Sequence, residues 1–312
     1  MIVKKKIYIL LLFLFLLIGA SQNGFAQRDS VNKAVATLQN QLLPLDIRTK
    51  KALEIIDNAI THPDCAKDGY SWYVRGFIYK DWYKTFESQN KKSKTRLDAV
   101  DYLKKANDLL TKDTSSAAKE YRSATKQTLK YLGSTFYNDA GMLLDTVNYN
   151  LAILNYEKFK ECILVAEPNY NLRPREVEFK TVLADQYGKL FRNNIKTNKK
   201  FFGEAEKIYK AVLPLDTNNF AATFNLAMLY YNYGVDIINS MDLDLPIMDV
   251  DKIQDEAKDN FKKALPYALK AYSMKPKKRE VIIALQGIYF SLYEFDKSDE
   301  FKIKLEKLDK EK

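Results

Sequence analysis

The chain has 312 residues, 46% hydrophobic and 29% charged, with 10 Gly and 8 Pro. That balance excludes a low-complexity, collagen-like or intrinsically disordered chain and leaves room for about two ordinary domains or one elongated repeat array. The formal charge is +10, of which Lys4, Lys5 and Lys6 supply three; the other basic residues alternate with acidic ones at helical spacing, which argues against a nucleic-acid-binding stripe.

Residues 1–26 combine a basic start (Lys4 to Lys6), an apolar run from Ile7 to Ile18 and a small-residue tail ending Gly24-Phe25-Ala26. This is the pattern of a secretory signal peptide, with cleavage expected after Ala26. The apolar run is 12 residues long, short of the roughly 20 that a membrane-spanning helix needs. No cysteine stands directly after the run, which argues against a lipid-anchored leader, and no later segment is apolar for long enough to span a membrane. The mature chain is therefore expected to lack a transmembrane segment and to be periplasmic or secreted.

From Arg28 onward the apolar residues recur at three and four rather than two, which predicts an all-α chain. Val31, Ala34, Val35, Leu38 and Leu42 form the first stripe; Ala52, Leu53, Ile56, Ala59 and Ile60 form the second, on a helix that Pro63 and Asp64 should close. Further helices are expected at about 70–88, 94–111, 116–145, 149–167, 175–195, 201–213, 219–240, 251–275, 279–295 and 297–310. Taken two at a time these make about six antiparallel hairpins.

The helices repeat a pattern. Trp72, Gly76 and Tyr79 on one helix are followed by Ala99, Leu103 and Ala106 on the next; Tyr137, Ala140, Gly141 and Leu144 are followed by Ala152 and Tyr156. Gly188 and Phe191 precede Ala205, Tyr209 and Val212, and Leu226, Ala227 and Tyr230 precede Ala257, Phe261 and Ala264. This succession resembles the tetratricopeptide repeat, with degenerate units at both ends, around Ala52 and around Gly287 and Phe290. The resemblance implies a right-handed superhelical solenoid over 27–312, a single domain with capping hairpins. In such a packing Gly76 and Gly141 are expected at close helix crossings and Gly69 in a turn. The length of the 116–145 and 251–275 helices suggests irregular stacking there.

Chemistry-bearing motifs are few. His62, the one histidine, sits in His62-Pro63-Asp64-Cys65 without the convergent partners that a metal or catalytic group needs. No glycine-rich phosphate loop, nucleophile elbow or zinc-protease motif occurs. Asp242, Asp244, Asp249 and Asp251 lack the glycine and terminal Glu of a calcium loop and read as a solvated acidic segment. No cofactor, metal or catalytic role is expected. Cys65 and Cys162 should stay unbridged, Cys162 as a buried small hydrophobe and Cys65 as the more accessible thiol.

The resemblance places Tyr70, Tyr73, Phe77, Phe224, Met228 and Tyr231 on helix faces that line a peptide groove, and it implies a protein-binding scaffold in a bacterial cell envelope. A protein or peptide partner is expected, no nucleic acid, and association with an outer membrane stays open. The alternative from another class is a helical toroid that acts on or binds glycans with carboxylates at its mouth.

Overall fold

The computed structural model describes residues 25–242, 244 and 246–310. Among them are thirteen α-helices, one π-helical turn and no strand. The first unit of packing begins with α1 (Phe25–Gln39), α2 (Leu45–Ala59), the short α3 (Pro63–Lys67), α4 (Gly69–Trp82) running into the π turn Tyr83–Glu87, and α5 (Lys94–Lys112). Then come α6 (Ser116–Met142), α7 (Tyr149–Ala166), α8 (Arg173–Asn193), α9 (Lys199–Val212), α10 (Phe220–Asn239), α11 (Ile247–Met274), α12 (Arg279–Ser291) and α13 (Phe295–Lys310). The expected leader falls on residues outside the described ones, apart from Phe25 and Ala26 at the start of α1. Among the described residues no helix is long and apolar enough to cross a membrane.

Pro63 departs from its expected role. It starts a helix rather than ending one, because a missing N–H costs nothing at a first helical position. His62 precedes it as N-cap, its Nδ1 accepting the Asp64 N–H at 3.3 Å.

Neighbouring helices pack in pairs, α1 with α2, α4 with α5, α8 with α9, α10 with α11 and α12 with α13. The described residues divide into two compact units, one of residues up to 139 together with 157–170, the other of 140–156 together with those from 171 onward. In the first, α4 packs on α1, α2 and α5, and Tyr137 of α6 meets Phe159 of α7 with ring centroids 4.9 Å apart. Cys65 and Cys162 both belong to this unit, are buried, and are not joined in a disulfide. Burial pushes the Cys162 thiol up to about 12; Cys65 is buried too and is the slightly more accessible of the two, 4% exposed against 0%. In the second unit α10 packs on α8, α9, α11 and α12, and Tyr156 stacks on Phe179 at 4.1 Å.

Glycine sets the closest pair crossings. A Cβ on Gly76 would lie 2.6 Å from Leu103 Cγ and 3.2 Å from the Ala99 carbonyl; one on Gly234 would lie 2.5 Å from Phe261 Cε1 and 3.0 Å from the Ala257 carbonyl. Gly76 precedes Ala99 by as many residues as Gly234 precedes Ala257, and Leu103 and Phe261 follow in the same register. Each unit thus holds one pair built on the same crossing, with the longer side chain filling the space that glycine leaves.

Two glycine expectations are corrected. Gly141 is exposed and nothing lies within 4 Å of its added Cβ, so the α6–α7 contact uses Gly133 instead, 3.2 Å from Cys162 Cβ. Gly69 is no free turn residue: it starts α4, and its Cβ would press on Leu110 Cγ at 2.7 Å.

The first unit also encloses a charge. Arg96, fully buried, donates through Nη1 to Asp139 Oδ2 at 2.6 Å and to the Tyr83 hydroxyl at 3.1 Å, and through Nη2 to the Lys91 carbonyl at 3.2 Å. Its guanidinium lies 3.9 Å over the Phe136 ring, and Lys91 Nζ donates to the other Asp139 oxygen at 2.6 Å. Glu87, at the end of the π turn, accepts from Trp82 Nε1, Ser93 Oγ and Thr95 Oγ1 and so ties the α4–α5 connection down.

Candidate functional site

In the second unit the pairing of α10 with α11 and of α12 with α13 leaves one face of α10 opposite one face of α12. Phe224, Met228 and Tyr231 project from α10 at spacings of four and three, one stripe of a 3.6-residue helix, toward Ile283, Gly287 and Phe290 of α12. Together they line a groove of about 570 Å³, within the ordinary range for a small ligand or peptide side chains. Gly287 gives the Tyr231 ring its room: a Cβ there would lie 2.5 Å from the Tyr231 hydroxyl and push that ring aside. Tyr231 also packs its ring 5.7 Å from Phe261. Burial raises its phenol pKa, opposed by a hydrogen bond with Ser291.

Aromatic rings continue beyond both ends of this lining. Phe220 stacks on Phe224 at 5.7 Å, with Lys275 Nζ 4.4 Å over its face. At the other end Phe290 and Tyr293 each pack against Phe295, their ring centroids 5.6 and 6.2 Å from it. These rings are 62%, 67% and 51% exposed.

The backbone that presents them is strained. α12 ends in a Schellman motif, with Tyr293 N–H on the Phe290 carbonyl at 3.0 Å and Glu294 N–H on the Tyr289 carbonyl at 2.9 Å. The residue in the left-handed position is Tyr293 at φ 64°, where glycine is the usual occupant. An L side chain there costs roughly 1–2 kcal/mol. The tyrosine is mostly exposed, so burial of its ring inside this chain does not offset that strain.

The six residues expected to form a groove separate into two groups. Phe224, Met228 and Tyr231 lie together on the groove. Tyr70 and Tyr73 are a correction: both are buried, Tyr73 to 2% exposure, with rings 4.4 and 6.2 Å from Tyr121 of α6. The Tyr70 hydroxyl donates to Asn32 Oδ1 at 3.2 Å. Phe77 is half-buried beneath Lys80 Nζ at 3.7 Å. In the first unit the Tyr70 and Tyr73 rings join α4 to α1 and α6, so those two are core. Missed from the sequence were Ile283, Phe290, Tyr293 and Phe295. Their signal was an aromatic-rich helix end, Phe290 to Phe295, with no glycine where the chain must turn.

Glu280 is the one carboxylate among the described lining residues, so the groove does not supply the paired carboxyls of a glycoside hydrolase. Among the described residues no group of three or more His, Cys, Asp or Glu is placed to hold a metal ion. No protein-family model matches the chain, and comparison with curated proteins finds no match.

Proposed function

We propose that the protein is a non-catalytic docking scaffold that binds a peptide segment of a partner in the groove between α10 and α12. The observation that carries this reading is the exposed aromatic cluster in which Phe290 and Tyr293 pack on Phe295, held out by a left-handed tyrosine and continuous with the apolar groove. A folded chain that retains both strain and exposed aromatic surface has a use for that surface outside its own core. A groove already formed in the free protein loses little entropy when a peptide docks, and aromatic anchors contribute most of the affinity at such contacts.

In the same proposal the helix pairs are tetratricopeptide-like units of a right-handed solenoid of about six pairs, and the chain is exported behind its leader to a bacterial envelope. The recurrence of the Gly76 crossing at Gly234 supports the repeat reading, and the basic, apolar and small-residue order of residues 1–26 supports export.

Selection of a random peptide library on the purified protein tests the docking reading. Enrichment of related peptides that Met228→Glu and Ile283→Glu each abolish, with unchanged helix content, is the expected result. Enrichment that both variants leave intact would place binding elsewhere.

A further inference from the structure

The groove has a charge axis. Helix α12 runs along it from Arg279 to Ser291, about 20 Å at 1.5 Å per residue. The turn that enters α12 carries Lys275, Lys277 and Lys278, all exposed, before Arg279 and Glu280. Lys278 Nζ meets Glu280 at 3.3 Å, Arg279 is held by Asp309 at 3.0 Å, and Lys275 sits on Phe220, which stacks on Phe224 of the groove. The turn that leaves α12 has the opposite sign. Glu294, Asp296, Asp299 and Glu300 surround a single base, Lys297, whose Nζ meets Glu294 at 2.6 Å. Ser298, in the same turn of α13, lines the groove, so this acidic end borders it directly.

The acidic end is also the aromatic end. Ring faces carry partial negative charge and attract cations, Arg above all, and neighbouring carboxylates add to that field. The basic end offers ammonium groups on flexible stems, suited to a carboxylate.

From this charge complementarity we propose that the groove takes a bipolar peptide. Its apolar side chains lie against Met228 and Ile283, an Asp or Glu lies over Lys275 to Lys278, and an Arg or Lys lies on Phe290, Tyr293 and Phe295. The inference rests on the docking reading above and adds the chemistry and orientation of the occupant. Rim charges of this kind set orientation and encounter rate more than total affinity, and the left-handed Tyr293 places one ring where the cation arrives.

The test uses three peptides that share one apolar core: one with two Asp at one end and two Arg at the other, one with Asp at both ends, and one with Arg at both ends. Titrated by fluorescence anisotropy at low salt, the bipolar peptide should bind about tenfold more tightly than either single-sign peptide. The difference should shrink as salt rises. The double change Lys277→Glu with Lys278→Glu, in an exposed turn, should remove the advantage of the bipolar peptide over the Arg-ended one. A spin label on the Asp end of the bipolar peptide should broaden amide signals of 275–280 much more than those of 293–297. Equal affinities, or a preference for a single-sign peptide, with binding still lost in Ile283→Glu, would overturn the charge axis and leave docking standing. Failure of all three peptides to bind would overturn both.

Discussion

Arg96 and Asp139 are 43 positions apart in the chain and joined by a 2.6 Å hydrogen-bonded ion pair, both side chains almost wholly removed from water. Such a pair is far more costly to break than to omit, since removal of one partner leaves the other charge buried. Asp139→Asn should therefore destabilise the protein by about 3–5 kcal/mol, while the double change Arg96→Met with Asp139→Leu should recover much of the loss. Urea denaturation of the two variants checks this; equal losses would show that packing rather than charge pairing decides stability there.

The glycine crossings give opposite outcomes for one substitution. Gly76→Ala and Gly234→Ala should each cost about 1–3 kcal/mol, because the new Cβ meets a branched or ring carbon and a backbone carbonyl within about 3 Å. Gly141→Ala, with nothing within 4 Å, should be neutral or stabilise by up to about 1 kcal/mol through helix propensity. Thermal melts of the three variants decide it.

Tyr293→Gly should raise stability by a few tenths to about 1 kcal/mol by relieving the left-handed strain at φ 64°. The same change should weaken peptide binding by removing an exposed ring. A rise in Tm together with a rise in Kd is the expected pair of readings; a rise in Tm with unchanged Kd would remove Tyr293 from the docking surface.

The Cys162 thiol is raised by burial from 9.0 to about 12. Its folded pKa thus lies above the unfolded one, so the stability linked to its neutral form is fully present below pH 9 and is lost as pH rises toward 12. Relative to Cys162→Ala, the wild type should lose about 1 kcal/mol per pH unit across that window. Parallel denaturation series at pH 8 and pH 10 test the difference, and thiol labelling in urea without reductant should find both cysteines free.

Helix positions were legible because apolar spacing alone reports them: α5, expected at 94–111, spans Lys94–Lys112, and α7, expected at 149–167, spans Tyr149–Ala166. What lies against a given helix face was less so. Tyr73 and Tyr231 occupy matching positions three residues before Gly76 and Gly234, yet α6 covers Tyr73 through Tyr121 while Tyr231 borders an open groove. That difference is made by a helix distant in the chain, which local pattern cannot report. Gly141 follows the Tyr137 signature and so reads as a crossing residue, whereas the crossing is set at Gly133, where Cys162 and Phe159 reach α6. Tyr293 was missed because an aromatic residue at a left-handed helix end runs against propensity, and such exceptions are where function tends to override local preference.

The claim on which the account turns is that the face shared by α10 and α12 is a preformed docking groove. Methyl NMR with labelled Met and Ile, titrated with a library-selected peptide, reads it directly, since Met228 and Ile283 lie on the groove while Ile56 and Ile78 are buried in the first unit. The account predicts saturable shifts at Met228 and Ile283 with Ile56 and Ile78 unmoved. Saturable binding with both groove methyls unmoved would contradict it.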